Sequence, residues 1–596
     1  MKNSLVVWWQ SFEQRPQQCW LISLAWLLLL SWVAFLWNIG VLGVMDKTEA
    51  LFVEVAHQMY LTNDWITPHW NGQTFFDYPV WGYWLVALSF KLFGVSEWAA
   101  RLPVALCAIA VVWLSFYTLR FWGFFLGENT ESTRSLWIRA WLGAGIVALN
   151  PGWVGWGRTS VTDMFLASTI TLTMLSFYLG YVNQEQPKVQ KIWYGLTPVF
   201  AAIAVLAKGP VGLLLPSLAI AAFLGYVGQW QAVWREVKGL LLAMIVIFCG
   251  IAVPWYALAT QANGLTFLNS FLGFSNFQRF TSVLYRHAGP WYFYLPWCFI
   301  LLLPWSTFLP LTLARLQFWR RKVWQHSPRD RQLGLFCFFW FVLILLFFSS
   351  AATKLAGYIL PIVPAGAIMI TLFWSEEISL APTKIKYSWA FFASGIFNFI
   401  LLLVMAIAAF ISPQFVGSDP AYPNFAQVLS ESGLPIIFSL ILSLATLLMG
   451  VSLFRKPFRA WLWSANLVGF LGTLIFVIPS LAPIMDSQRQ QPFRELSQIA
   501  GQTVKPKESI FVMGYPRYSL VYYSQHPATF LDDVPYAIEL LQKENDPNPL
   551  ATVLIVTDPQ LLERFKLKQE DYQLIAQKGV YHLIRVPKSV LIRRSQ

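Results

Sequence analysis

Charged residues are scarce in this sequence. Asp, Glu, Lys and Arg make up 12% of its 596 residues, whereas 57% of the residues are hydrophobic. Soluble globular domains usually contain about 25% charged residues, so the composition excludes that class. Apolar runs long enough to cross a bilayer recur along most of the chain, which predicts a polytopic α-helical membrane protein.

Several functional motifs are also missing. No GxGxxG, Walker A or GxSxG element occurs, so the sequence does not indicate the use of a nucleotide in the cytoplasm. The five cysteines include no CxxC pair, and no disulfide framework is indicated. His57, His69 and His287 lack the spacing of metal ligands. A divalent cation held by carboxylates stays an open alternative, and no cofactor is predicted with certainty.

About thirteen apolar stretches of about 20 residues follow one another between residues 20 and 482. The first stretch lacks a cleavage site, which indicates a retained helix with the N-terminus in the cytoplasm. The net charge of +13 is scattered over short loops, such as "RRKVWQHSPRDR" and "FRKPFR", which the positive-inside rule assigns to the cytoplasm. Nucleic acid is therefore not a predicted partner.

An odd number of spans that starts inside leaves the C-terminus outside. Residues 1–485 are predicted as the membrane domain, and residues 486–596 as a small, soluble, extracytoplasmic α/β domain. In this tail, strands are predicted at "SIFVMGY", "SLVYYS", "ATVLIVT" and "YHLIRV", and helices at "VPYAIELLQKE" and "PQLLERFK".

Two of the loops on the predicted outer side are long, namely residues 43–97 and 261–290. The stretch "EALFVEVAHQMYL" in the first loop is predicted to be an amphipathic helix at the interface. Long loops on one face of a helical bundle are where function is usually carried.

The first outer loop is rich in acids. Asp46 follows the first span with almost no spacer, at a depth where a carboxylate is costly unless it has a partner or a function. Glu49, Glu54 and Asp77 follow in the same loop. For any single one of these acids, the alternative is a carboxylate that simply faces water.

Basic residues occur at the outer ends of spans, where the positive-inside rule disfavours them. Together they predict an outward cavity for an anionic group such as a lipid phosphate, whereas a single Arg or Lys is explained by snorkelling. These residues are Arg158, Lys208, Arg279, Arg286 and Lys354. Asp163 lies in an apolar span five residues after Arg158, so it is either a functional acid or the partner of Arg158.

These stretches resemble the polyprenyl-phosphate-dependent glycosyltransferases of the GT-C superfamily, specifically the bacterial aminoarabinose lipid A transferases and, more distantly, the protein O-mannosyltransferases. The resemblance covers the whole membrane part. Its motifs, in chain order, are "MDKTEALFVEVAHQM", "DWITPHWNGQTFFDYP", "YWLVALSFKLFGVSEWAARLP", "RTSVTDM", "AKGPVGLLLP", "NFQRF", "HAGPWYFYLPW" and "TKLAGYILPIVPA".

The resemblance implies that Asp46 acts at the sugar-transfer centre as a base or as a carboxylate that orients the acceptor. Lys47 stands where the family usually has Glu, so Glu49 is the implied catalytic helper, and Glu54 is predicted to bind substrate. In the motif of Phe76, Asp77, Tyr78 and Pro79, Tyr78 replaces the usual Lys, which leaves more of the positive charge to other residues. By the same resemblance the donor cavity includes Asp163, Lys208, Arg279, Lys354 and Tyr358. Asp77 is predicted to be catalytic, and Arg158 and Tyr78 are predicted to bind substrate.

The predicted function is transfer of a sugar from an undecaprenyl-phosphate carrier to a lipid, glycan or protein acceptor at the periplasmic face of a bacterial inner membrane. Cations would stabilise the phosphate leaving group, and a carboxylate would deprotonate the acceptor hydroxyl. One alternative is a transporter or flippase of polyprenyl-linked or anionic lipids, which predicts internal repeats and charges near the bilayer midplane. Another is a degenerate relative whose tail is a binding module.

Overall fold

A computed structural model of the chain describes residues 15–123, 133–283, 287–380, 387–416, 422–514, 516–531, 552–558, 561–562 and 567–594. Arg286 lies outside these residues, as do the helix predicted at "VPYAIELLQKE" and most of the one predicted at "PQLLERFK".

Helices dominate the first five hundred residues. In chain order they are α1 Pro16–Ser31, α2 Thr48–Thr62, α3 Trp81–Phe93, α4 Glu97–Phe121, α5 Thr133–Ala148, α6 Pro151–Gly157, α7 Thr162–Val182, α8 Pro187–Lys208, α9 Val211–Val227, α10 Trp230–Val237, α11 Leu241–Leu268, α12 Arg279–Thr281, α13 Tyr294–Leu301, α14 Leu309–Leu316, α15 Arg321–His326, α16 Leu333–Ser350, α17 Ile362–Leu380, α18 Trp389–Phe415, α19 Phe425–Glu431, α20 Leu434–Phe454, α21 Leu462–Gly472, α22 Ile478–Met485 and α23 Gln491–Thr503. A two-stranded hairpin, β1 His69–Trp70 and β2 Gln73–Thr74, interrupts the first outer loop.

Within the described residues, ten helices are long and apolar enough to cross a membrane. An eleventh span is added if the pair from Tyr294 to Leu316, bent by 113°, counts as one. The sequence predicts about thirteen spans. The two further predicted spans correspond to α5 and α9, which at 16 and 17 residues are shorter than the other spans. Large apolar side chains remain exposed on these helices, for example Leu242 at 75% and Leu440 at 64%, as expected of surfaces that face lipid.

The helix of the first outer loop, α2, is enclosed on most of its sides, so the prediction of an amphipathic helix was wrong. Nine of its fifteen residues are buried, including the polar Glu54 and His57. Packing therefore surrounds α2, between the membrane helices and the tail. Its sequence is apolar enough to be enclosed on most sides. Periodicity alone does not distinguish a helix at the membrane surface from a helix buried inside the protein.

The tail is built on a five-stranded sheet with the order β4-β3-β5-β7-β6. Its elements are β3 Ser509–Met513, α24 Ser519–Ser524, β4 Ala528–Leu531, β5 Thr552–Thr557, β6 Gln573–Lys578, β7 Tyr581–Pro587 and α25 Lys588–Arg594. Strands β4, β3 and β5 are parallel, whereas β7 is antiparallel to both β5 and β6. Separate apolar clusters cover the two faces of the sheet, so the tail is a layered α/β unit.

One predicted strand is a helix. The segment "SLVYYS" forms α24, and strands β4 and β6 take the edge positions that the sequence did not reveal. Four apolar and aromatic residues between two serines have no decisive periodicity, and the tertiary contacts of Leu520 and Val521 with the sheet select the helix. The other three predicted strands are present as β3, β5 and β7.

No loop separates the last membrane helices from the tail. Helical structure continues from Lys456 to Thr503, and the predicted boundary at residue 486 falls on a π-helical turn, Asp486–Gln490, inside this run. Asp486 accepts from the Gly43 backbone N–H at 2.6 Å and pairs with Arg494 at 2.8 Å. This turn thus ties the tail to the first outer loop.

A buried ion pair holds that loop to the membrane helices. Glu49 and Arg101 form two hydrogen bonds at 2.7 and 2.8 Å, and both side chains are almost fully buried. Arg101 also donates to the carbonyls of Ile39, Leu42 and Gly43, and the backbone N–H groups of Met45 and Ser160 donate to Glu49. The backbone on both sides of Asp46 is therefore fixed.

We expect Glu49→Gln to lower the free energy of unfolding by about 3 to 5 kcal/mol, because Arg101 keeps its charge in a buried place without a counter-ion. Equilibrium unfolding in mixed micelles measures this change. The control is Glu495→Gln, which breaks a partly exposed pair with Lys578 at 2.7 Å and should cost at most about 1 kcal/mol. Equal effects of the two substitutions would contradict the assignment.

Candidate functional site

Asp46 lies between the membrane domain and the tail. The Ser519 backbone N–H and the Ser519 hydroxyl donate to its two carboxylate oxygens at 2.7 and 2.8 Å. Burial raises the pKa of Asp46, and the Ser519 hydrogen bonds and the charge of Arg517 oppose that rise only in part. The carboxyl therefore takes up a proton at a higher pH than an ordinary Asp.

Glu49 and Glu54 of the same loop are occupied within the protein. Both oxygens of Glu49 bind Arg101, as described above, so Glu49 positions the backbone around Asp46. Glu54 is 0% exposed and accepts from Gln58 Nε2 at 2.6 Å, and its second oxygen lies 3.3 Å from Nδ1 of His57. The catalytic role predicted for Glu49 and the binding role predicted for Glu54 stay predictions.

A separate cavity of about 400 Å³ opens among α7, α8, α9, α16 and the segment before α12. Five of the predicted site residues line it, namely Asp77, Tyr78, Lys208, Arg279 and Tyr358. Much of the remaining wall is aromatic or aliphatic, including Leu214, Phe280 and Phe347. The cavity thus combines a charged end with a long apolar lining.

Two cations stand over tyrosine rings at the charged end. The Lys208 ammonium is hydrogen-bonded to Asp163 and lies 4.8 Å from the ring centre of Tyr358. The Arg279 guanidinium lies 5.6 Å from the Tyr78 ring, 3.4 Å from Asp77 Oδ2 and 3.5 Å from the Tyr78 hydroxyl. A guanidinium carries five N–H donors and an ammonium three, so both cations retain donors for oxygen atoms of a ligand.

Asp77 is held by a second donor as well. The Ser275 hydroxyl lies 3.2 Å from its Oδ1, while Oδ2 faces Arg279. Tyr78, in the place of the usual Lys, supplies a ring and a hydroxyl to the same end of the cavity, and Lys208 lies 5.7 Å from its ring centre. The aromatic ring therefore stands beside both cations and carries no positive charge of its own.

Two residues of the predicted basic set lie outside this wall. Arg158 donates to the carbonyls of Ala34 and Trp37 at the end of the first span, at 3.2 and 2.6 Å. Lys354 donates to the carbonyls of Ser349 and Ala351 at 2.8 Å each, next to the cavity. The alternative pairing of Arg158 with Asp163 is wrong, because Asp163 pairs with Lys208.

The sequence did not point to the tail residues at this site. Ser519 is 473 positions away from the Asp46 that it binds, and no local pattern marks it. Tyr523, on the same short helix, accepts from the Val44 backbone N–H at 2.8 Å and donates to Glu97 at 2.9 Å. Within the described residues, no group of three or more His, Cys, Asp or Glu side chains is arranged to hold a metal ion.

Family models match two parts of the chain. Residues 77–256 match the model described as dolichyl-phosphate-mannose-protein mannosyltransferase. Residues 503–596 match the cyanobacterial RgtA-type glycosyltransferase, C-terminal domain. The first match contains the cavity residues Asp77, Tyr78 and Lys208, and the second contains Ser519.

Curated relatives match over most of their length. The chain is 26% identical over 470 residues to undecaprenyl phosphate-alpha-4-amino-4-deoxy-L-arabinose arabinosyl transferase 1 of Pseudomonas fluorescens, which covers 77% of this chain and 74% of that protein. It is 28% identical over 425 residues to the corresponding transferase of an Enterobacter species, which covers 70% and 69%.

Solved structures show the same fold. ArnT from Cupriavidus metallidurans bound to undecaprenyl phosphate superposes with a TM-score of 0.71 and 20% identity over 96% of this chain and 98% of that one. Its apo state gives a TM-score of 0.72 at 19% identity, over 96% and 99% of the two chains.

Proposed function

We propose that this chain, which is a membrane glycosyltransferase of the GT-C type, moves a sugar from an undecaprenyl-phosphate carrier to an acceptor hydroxyl at the periplasmic face of a bacterial inner membrane. The observation that carries the proposal is the cavity in which Lys208 and Arg279 face a long apolar wall. A polyprenyl phosphate has the same two parts, an anionic head and an apolar chain.

Recognition of the donor follows from the two ends of the cavity. The free donors of Arg279 and Lys208 bind phosphate oxygens, and a partly desolvated site strengthens these charge-assisted hydrogen bonds. The wall that includes Leu214, Phe280 and Phe347 accepts the polyprenyl chain by burial of apolar surface. Asp77 and Asp163 keep the cations in place when no ligand is bound.

The transfer step uses the same charges. The acceptor oxygen attacks the anomeric carbon, the bond from that carbon to the phosphate oxygen breaks, and polyprenyl phosphate leaves with the electron pair. Lys208 and Arg279 stabilise the charge that develops on the phosphate, and Asp46 takes the proton of the acceptor hydroxyl. Glu49 connects the loop that carries Asp46 to the segment that carries Asp163, because Glu49 accepts a hydrogen bond from the N–H of Ser160, which lies three residues before Asp163.

Two similarities support the proposed donor. The relatives described above are named for undecaprenyl phosphate as the carrier of their sugar. A protein of the same fold has been solved with undecaprenyl phosphate bound. A lipid, a glycan and a protein remain as acceptor classes.

The proposed orientation is supported by the charges at the opposite end of the bundle. Arg329 pairs with Glu236 at 2.8 Å, and Arg321 donates to the carbonyls of Gly225 and Tyr226, so two basic loops meet there. A cytoplasmic position of this end satisfies the positive-inside rule and places Asp46 and the tail in the periplasm.

The cation role of Arg279 is tested by Arg279→Gln. We expect sugar transfer from undecaprenyl-phosphate-linked sugar in proteoliposomes to fall about 10²-fold or more, because charge stabilisation of the leaving phosphate is lost. The matched control is Arg321→Gln, since Arg321 also stands over a tyrosine ring, at 5.7 Å from Tyr226, but lies at the opposite end. Activity that is equally low in both variants would contradict a specific role.

The base role of Asp46 is tested by Asp46→Asn, which keeps a side chain able to bind Ser519. We expect turnover to fall by about two orders of magnitude or more, the scale of a general base. In the wild type, activity should decline as pH falls through the raised pKa of Asp46, because the protonated carboxyl cannot accept a proton. The pH profile of kcat measures this decline.

Ser519→Ala is the companion variant. Removing the hydroxyl takes away a hydrogen bond that lowers the pKa of Asp46, so the acid side of the profile should move to higher pH. A profile that does not move would argue against Asp46 as the titrating base.

Translocation of the intact donor lipid without a change in its sugar linkage would favour a flippase instead.

A further inference from the structure

A second cavity of about 400 Å³ lies where the first outer loop, the start of α4 and the tail meet. Its lining comes from three separate parts of the chain, including His57 of α2, Glu97 of α4, Gln498 of α23 and Tyr522 of α24. His57 and Tyr522 are 2% and 6% exposed, whereas Gln498 is exposed. The cavity therefore has a buried floor and a polar rim open to water.

The buried floor of the cavity carries polar side chains. Nδ1 of His57 faces Glu54, which turns Nε2 to the other edge of the ring, and the ring packs against Tyr522 at 5.3 Å between centres. The imidazole of His57 and the hydroxyl-bearing ring of Tyr522 both belong to the lining of this cavity. Polar groups in the lining of a cavity offer hydrogen-bond donors and acceptors to a polar ligand.

The charges of the cavity select against an ionic ligand. Among the described residues that line it, Glu97 is the only acid and Arg494 the only permanently charged cation. Arg494 lies 3.6 Å from Glu97 and 2.8 Å from Asp486, so carboxylates of the protein already occupy this cation. The remaining polar groups are neutral donors and acceptors, namely two amides, hydroxyls and an imidazole. Closely spaced donors and acceptors beside tyrosine rings suit a neutral ligand with many hydroxyl groups.

The cavity is also close to Asp46. Helix α24 presents Ser519 to Asp46 and, one turn later, Tyr522 and Tyr523 to the cavity. One turn of helix advances about 5 Å, so a ligand of sugar size bridges that distance. The Tyr523 hydroxyl, which binds the Val44 N–H, connects the cavity wall to the loop that holds Asp46.

We propose that this second cavity binds the carbohydrate part of the acceptor, so that the tail selects which glycan receives the sugar. The inference rests on the proposed function for the direction of transfer. It goes beyond that function by assigning an acceptor class and the residues that recognise it. Tyr522 and His57 form the floor under the sugar ring, and Gln498 and Gln525 bind hydroxyls at the rim.

The test is saturation-transfer NMR of the full chain in nanodiscs. The probes are the methyl glycosides of glucose, galactose and N-acetylglucosamine, each titrated alone. We expect at least one glycoside to bind, and Tyr522→Phe and Gln498→Leu each to weaken its affinity about tenfold, as expected when a hydrogen bond to the ligand is lost. Tyr522→Phe keeps the ring packing against His57, so a folding defect is not expected.

The matched control is Gln491→Leu, on the same helix as Gln498 but at an exposed position outside the cavity lining. It should leave glycoside affinity unchanged, as should Arg279→Gln. No binding of any glycoside, or binding that Tyr522→Phe and Gln498→Leu leave unaltered, would overturn the inference. Displacement of a bound glycoside by a serine-containing peptide would also overturn it, in favour of a protein acceptor.

The two proposals fail separately. If the variants alter glycoside binding but the protein transfers no sugar, the proposed function is contradicted and the cavity is still a carbohydrate site. If the protein transfers sugar but binds no glycoside, the proposed function is supported and this inference is contradicted.

Discussion

The buried pair of Glu49 and Arg101 is the interaction on which the outer half of the molecule depends. A guanidinium and a carboxylate without water are stable only when their hydrogen-bonding capacity is used, and here backbone groups on both sides of Asp46 use it. A loop that leaves a bilayer would otherwise be free to move. The pair makes it a rigid support for Asp46, α2 and the tail.

That rigidity explains why the tail forms part of the candidate site. Ser519 binds both oxygens of Asp46, and the continuous helix through Asp486 brings the tail back to Gly43. The membrane domain contains the cavity with the cations and the apolar wall, and the junction with the tail contains a second, polar cavity. In the proposed reaction, the donor and the acceptor therefore bind to two structural units that meet at one loop.

The sequence predicted some residues of the cavity correctly and also selected a residue that lies outside it. Asp77 is predicted from the acid-rich first outer loop and the family resemblance, whereas the cost of charge at the outer ends of spans predicts Lys208 and Arg279. The same argument selected Arg158, which instead binds carbonyl groups at the end of the first span. Charge at membrane depth shows that a residue has a partner, but not whether that partner is a ligand or the protein's own backbone.

Hydrophobicity and length by themselves determined the membrane class, the order of the apolar helices and the existence of an α/β tail, because these properties follow from local composition. The tertiary structure alone decided that "SLVYYS" is a helix, that Asp163 pairs with Lys208, and that Ser519 meets Asp46. Those outcomes depend on groups far apart in the chain. Desolvation selects such pairings only once the elements have packed, and no local pattern encodes them.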